Sequence, residues 1–190
     1  MKQVEGYVER ITYRNEDNGY SVIYLSNPEP KADEDDEVCC VGFFSFVSEG
    51  EYLVINGRET VHKSYGPQIQ VESYETKRPS SQVAIEKYLG SGAIKGIGAA
   101  FAARIVRRFG EKTFEIIENE PERLAEIKGI SMKMAVSVAK QFNDKRQMRQ
   151  SVIFLQEYGI SVNMAVKIYK FYGEKIYEIM QQNPYRLAED

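Results

Sequence analysis

The chain has 190 residues, 43% of them hydrophobic and 28% charged, with a formal net charge of −3, two cysteines, one histidine and no tryptophan. That length accommodates one large domain or two small ones, each with a working core. The few cysteines and single histidine exclude a disulfide framework or a structural zinc site. No apolar run reaches the roughly 18 residues of a membrane span and the N-terminus lacks an apolar signal core, so a cytoplasmic protein with no membrane partner is expected.

Charge divides the chain. Residues 1–78 carry 8 Lys+Arg against 15 Asp+Glu, a net of −7, whereas residues 79–190 carry 17 against 13, a net of +4. The change falls at Arg78-Pro79-Ser80-Ser81, a short linker-like run, and predicts two domains, 1–78 and 79–190. A negative total does not exclude nucleic acid, because phosphate binding depends on the face presented and not on the sum.

In chain order, residues 2–13 and 20–26 are rich in Val, Ile, Tyr and Thr and flank the turn Asn15-Glu16-Asp17-Asn18-Gly19, which predicts a hairpin. An acidic, Pro-containing loop, 27–37, follows. A third strand is predicted over 38–47, then the turn Ser48-Glu49-Gly50-Glu51, and further strands over 52–61 and 68–74. Five short strands suit a small β-barrel, either an OB-fold or an SH3-like barrel, and periodicity does not choose between them. Tyr7, Tyr13, Tyr20, Tyr24, Phe43, Phe44, Phe46 and Tyr52 could stack bases of a single strand beside Arg10, Arg14, Arg58 or Lys63. They serve equally as the core of a docking or spacer barrel. Cys39 and Cys40 are adjacent in a strand-like run, so they point to opposite faces and read as reduced structural thiols.

From Ser81 onward the spacing is helical and an internal repeat emerges. Ile94-Lys95-Gly96-Ile97-Gly98 returns as Ile127-Lys128-Gly129-Ile130-Ser131 and, more faintly, as Tyr158-Gly159-Ile160-Ser161. A shift of 33 superposes the first pair. A shift of 63 carries Phe109-Gly110-Glu111-Lys112 onto Tyr172-Gly173-Glu174-Lys175 and Pro121-Glu122-Arg123-Leu124 onto Pro184-Tyr185-Arg186-Leu187. A Gly-apolar-Gly pivot before a helix is the pattern of helix-hairpin-helix DNA binding: the glycines let backbone approach a phosphate, and the next helix aims its free amides at the same spot. The candidate DNA-binding residues are Lys95, Gly96, Ile97, Gly98, Arg104, Arg107 and Arg108 in the first unit and Lys128, Gly129, Ser131 and Lys133 in the second. The third unit, with Lys167 and Lys170, is expected to be mainly structural. Such contacts read phosphate and not base edges, so binding indifferent to sequence and sensitive to salt is expected.

No catalytic constellation is visible. Gly90-Ser91-Gly92-Ala93-Ile94-Lys95-Gly96 lacks the phosphate-loop spacing and does not follow a strand, and His62 has no persuasive nucleophile partner. The chain is expected to be an α+β, two-domain protein without enzymatic activity or a cofactor of its own.

Ile11-Thr12-Tyr13-Arg14-Asn15-Glu16 with Asn18-Gly19-Tyr20, then Tyr65-Gly66-Pro67-Gln68, Tyr88-Leu89-Gly90-Ser91-Gly92, Glu118-Asn119-Glu120-Pro121-Glu122-Arg123-Leu124 and the closing Asn183-Pro184-Tyr185-Arg186-Leu187-Ala188-Glu189-Asp190 give the resemblance. In that order they resemble the N-terminal region of the RecD-like, YrrC-type bacterial DNA helicases across essentially the whole chain. The resemblance implies a non-catalytic DNA-binding accessory region whose 5′-to-3′ motor, with its ATP and magnesium, lies further toward the C-terminus. The implied partner is DNA, whether single-stranded, duplex or forked. Ser131 departs from the glycine pattern and puts equal contributions from the two hairpins in doubt. Two other readings stay open: a module that docks a repair or replication protein or the motor itself, and a Holliday-junction-binding protein of similar layout, which the Asn-Pro-Tyr-Arg-Leu ending does not suit.

Overall fold

The computed structural model describes residues 1–29, 37–44 and 46–182. The expectations for most of the acidic loop and for the repeat copy at 184–189 lie outside the described residues. Strands β1 (Lys2–Arg14), β2 (Tyr20–Glu29), β3 (Glu37–Phe43), β4 (Tyr52–His62) and β5 (Gly66–Lys77) close into a barrel in the order β1-β2-β3-β5-β4. Every neighbouring pair is antiparallel except β3 and β5, which run parallel at Cys40↔Ile69 and Val41↔Gln70. This five-stranded closure is the OB arrangement and decides against an SH3-like barrel.

Alternation makes the barrel core: Val4, Val8, Ile23, Leu25, Leu53 and Ile55 point inward and are buried. β1 serves two partners because it is 13 residues long and irregular in register between Glu5/Tyr7, Val8/Arg10 and Ile11/Tyr13, which coils it around the barrel. The third strand stops at Phe43, short of the predicted Val47. Phe44 instead donates its N–H to the Gly19 carbonyl (2.8 Å), and the side chains of Phe44 and Val47 are buried. That run is apolar because it fills the core, not because it pairs as a strand.

The helical part comprises α1 (Gln82–Gly90), α2 (Ala99–Phe109), α3 (Thr113–Asn119), α4 (Met132–Glu157), α5 (Val162–Tyr172) and α6 (Ile176–Gln182). Short 3-10 turns lie at Gly110–Lys112, Pro121–Glu126 and Gly173–Lys175. The shift of 63 seen in the sequence maps α2 onto α5, the first of these turns onto the third, and α3 onto α6, residue for residue. Even the helix-ending glycines agree, Gly110 and Gly173 each having φ 59°.

Two compact units result, Met1–Ala139 and Lys140–Asp190, with α4 running through the division. In the first, the barrel sits directly on α1. Gly50 (φ 86°) lies so close to that helix that a Cβ would stand 2.7 Å from the Ala84 carbonyl oxygen and nearer still to the Tyr88 nitrogen. Lys87 pairs with Glu9 across the same junction. Pro79 is buried, and the Arg78 guanidinium lies 4.5 Å from the Phe114 ring centroid and bonds Glu118 at 3.1 Å. The second unit is built on Val152, Leu155, Ala165, Val166, Ile168, Ile176, Ile179 and Met180.

Candidate nucleic-acid interface

Each hairpin begins as a hydrogen-bonded turn. Ile97 N–H donates to Ile94 O (3.3 Å) and Ile130 N–H to Ile127 O (3.1 Å), each across the pivot glycine, whereas the bond that spans Gly159 is a wider one, from Ile160 N–H to Leu155 O (3.4 Å). The pivot glycine is left-handed in all three, with φ 94° at Gly96, 96° at Gly129 and 80° at Gly159, a conformation that disfavours any residue with a Cβ. Ile94, Ile97, Ile127 and Ile130 are buried, whereas Lys95, Gly96, Gly98, Lys128, Gly129 and Ser131 are exposed. The apolar positions therefore anchor the turn and the polar ones face solvent. Ile97, included among the candidate contacts, is such an anchor.

Gly98 is different in kind. Its φ of −98° and ψ of −176° are open to any residue, and a Cβ there would meet nothing within 4 Å. Neither conformation nor packing requires glycine at this position. The helix that follows, α2, starts at Gly98 with no side-chain cap, so its first-turn amides stay unsatisfied and point outward. At the second hairpin the Ser131 hydroxyl accepts the Met134 N–H (3.1 Å), and at the third the Ser161 hydroxyl accepts the Met164 N–H (3.3 Å). The three units thus share a left-handed pivot glycine and differ in how many amides they leave free.

The first two hairpins pack on each other reciprocally. A Cβ on Gly129 would lie 3.1 Å from the Phe101 ring, and one on Gly96 would lie 3.8 Å from the Met134 methyl. Phe101 and Met134 are 33 residues apart, as are Gly96 and Gly129, so each hairpin's outgoing helix packs beside the other's pivot glycine. Contacts exchanged in this way define a local pseudo-two-fold axis. Arg104 tightens it by donating to the Lys128 carbonyl oxygen (3.3 Å) while its guanidinium lies 5.8 Å from the Phe101 ring centroid.

Among the cations, Arg108 is partnered by Glu126 (3.1 Å), which also approaches Arg123 (3.6 Å). Arg107, Lys128 and Lys133 are exposed and carry no ion pair among the described residues. The neutralising role of Glu126 was not legible from spacing along one helix, because it reaches α2 from the Pro121–Glu126 turn. In the barrel, Arg14 turns inward onto the Val47 carbonyl and the Ser21 hydroxyl, Arg58 pairs with Glu72, and Arg10 stacks on Tyr24 with its carbon 3.9 Å from the ring centroid. Burial raises the pKa of both the Cys39 and Cys40 thiols above the ordinary range, which makes them poor nucleophiles.

Family comparison matches both the barrel and the helical part. Residues 1–79 match the OB-fold domain of the ATP-dependent DNA helicase YrrC. Residues 84–146 and again 144–190 match the HHH domain of the ATP-dependent RecD2 DNA helicase. The ATP-dependent RecD2 DNA helicase of Deinococcus radiodurans is 21% identical over 189 residues, a match that covers 98% of this chain and 26% of that protein. The chain therefore spans about a quarter of the length of that relative. Among solved structures, a chain of the S. pombe Stn1-Ten1 complex aligns with 40% of this chain and 57% of its own at 19% identity and a TM-score of 0.31, too slight a likeness to carry an argument. With both of its domains matched, the chain belongs to the RecD2 DNA helicase family, of which it carries the OB-fold and helix-hairpin-helix domains.

Proposed function

We propose that this chain is a non-catalytic DNA-binding region that holds the phosphate backbone of duplex DNA through its first two hairpins, without sequence preference, on behalf of an ATP-driven motor. The observation that carries this reading is Gly98. A glycine that neither φ nor packing demands, opening onto the uncapped start of α2, is explained by the close approach of something from outside. Free amides, the positive helix end, Lys95 and Arg107 suit that something to a phosphate. The pseudo-two-fold relation between the hairpins supports a duplex, whose two strands are themselves related by a dyad.

Within this reading the hairpins are unequal. The first offers uncapped amides; the second commits one of them to Ser131 and contributes mainly through Lys128 and Lys133. Arg107 is a phosphate contact, and Arg108 a weaker one because Glu126 offsets its charge. The motor, its ATP and its magnesium belong to the family's other domains, so this chain alone neither hydrolyses ATP nor unwinds DNA.

The test is duplex binding over a salt series. Neutralising one phosphate contact lowers the slope of log K against log salt by about 0.9, so Arg107→Ala should flatten the slope by about one unit and Arg108→Ala by less. Base sequence should not matter. Unchanged affinity and slope in folded variants would transfer the hairpins to the rival reading, a surface that docks a protein partner.

A further inference from the structure

Two arginines of α2 serve the second hairpin and not the first, with which their place in the sequence groups them. Arg104 and Arg108 stand one turn apart on the same face of the helix. Arg104 donates to the Lys128 carbonyl oxygen (3.3 Å) and Arg108 reaches Glu126 (3.1 Å), so together they clip the chain on either side of the buried anchor Ile127, where it enters the second hairpin. Glu126 belongs to a wider chain of charge. Its other carboxylate oxygen lies 3.6 Å from Arg123, whose guanidinium bonds Glu120 (3.1 Å) and stands 5.3 Å from the Phe109 ring centroid. Both oxygens of Glu126 therefore face cations, two residues before the exposed Lys128. The equivalent position is neutral in the other units: a shift of 33 places Ala93 there in the first hairpin, and a shift of 30 places Gln156 there in the third. The turn itself needs no carboxylate at this step.

We infer that Glu126 is a positioning residue that holds Arg108 back from the DNA backbone and so keeps the grip of the second hairpin weaker than that of the first. The inference rests on the phosphate-binding reading above. Its physical basis is competition: a guanidinium takes a carboxylate or a phosphate through the same planar pair of donors, so Arg108 cannot serve both fully. As a staple of the fold the pair contributes little, because its side chains are 59% and 42% exposed and water screens the attraction. The entry to the hairpin is in any case fixed by the burial of Ile127 and by the Arg104 bond. As a restraint on binding the same pair is well suited, being weak enough for a phosphate to displace and close enough to act on every phosphate that approaches Lys128. A region that travels along a duplex with a motor has to release as well as hold. The first hairpin, with free amides and a neutral entry, keeps contact, and the second lets go.

The experiment titrates labelled duplex over a salt series with the whole chain and with Glu126→Gln, which keeps the shape of the side chain and puts at 126 the residue found at 156. With its partner neutralised, Arg108 becomes a full contact. Affinity should rise about two- to fivefold at low salt, and the slope of log K against log salt should steepen by up to about 0.9. The gain should vanish in Glu126→Gln/Arg108→Ala, a coupling that identifies Arg108 as the group through which Glu126 acts. Glu122→Gln should bind as the parent does, since Glu122 is exposed in the same turn and carries no ion pair among the described residues. Unchanged affinity and slope in Glu126→Gln overturn the inference. So does a gain that persists without Arg108, which is bare repulsion of phosphate by Glu126, or an equal gain in Glu122→Gln, which is net charge alone. Arg107→Ala, titrated alongside, separates the two readings. A slope flattened by Arg107→Ala but indifferent to Glu126→Gln removes the restraint and leaves the phosphate grip standing, whereas a slope indifferent to both removes both.

Discussion

Two glycines two residues apart do opposite work. Gly96 is needed by its own backbone, whose φ of 94° strains any residue with a Cβ; Gly96→Ala should cost about 1–2 kcal/mol of stability in urea denaturation. Gly98 has an ordinary backbone and empty space beyond it. Gly98→Val should therefore leave stability within about 0.5 kcal/mol yet weaken duplex binding, because the branched side chain stands in the path of the proposed phosphate contact. If the two substitutions lowered stability alike, the distinction drawn between them would be wrong. Ser131 supplies a third case. Ser131→Ala should cost about 1 kcal/mol through the lost cap, and Ser131→Gly only a few tenths. The glycine variant frees the Met134 amide and should bind duplex more tightly than the parent, an outcome read in the same titration.

At the scale of elements, pattern carried far where structure is local and failed where it is not. Alternation located all five strands, and the repeat at 63 located helices that coincide end for end. The choice of OB over SH3-like closure was illegible because it depends on β1 meeting β4 and on β3 meeting β5, pairings between residues far apart in the chain. The burial of Phe44 was read as strand for the same reason: an apolar residue signals core before it signals conformation. The partners of the cations were illegible too, since Arg14, Arg104 and Arg108 each bond groups that a helical wheel or strand pattern cannot show. The junction of β1 with α1 yields a prediction of its own. The hydrogen bond from Lys87 lowers the Glu9 pKa, and the Lys87 charge adds to it. A carboxylate depressed in the folded state contributes stability above its ordinary range and loses it as pH falls through the folded value. The stability difference between the parent and Lys87→Met should accordingly be present at neutral pH and vanish under acid conditions; a difference independent of pH would assign the effect to packing of the lysine stem.

For the whole molecule, the charge break at residue 78 and the division of compact units at Ala139 describe different things. The proposed domains 1–78 and 79–190 are distinct in composition, but Pro79 is buried, Arg78 is held by Phe114 and Glu118, and Gly50 is seated on α1. We expect residues 1–139 to unfold in one cooperative step, with amide-exchange protection in the barrel strands and in α1–α3 lost together. Two separated transitions would show a barrel that folds without its helix. Trypsin should likewise spare the Lys77–Arg78 bond, the cleavable one beside Pro79, among its first cleavages. Gly50 gives this coupling an evolutionary side. A contact that exists only because one residue has no side chain cannot be rebuilt by compensating charge or by a longer linker, so barrel and first helix must be inherited as a pair. Shuffling between relatives at residue 78 should yield misfits, whereas exchange of a cassette that carries the barrel together with α1 keeps the seat of Gly50 intact.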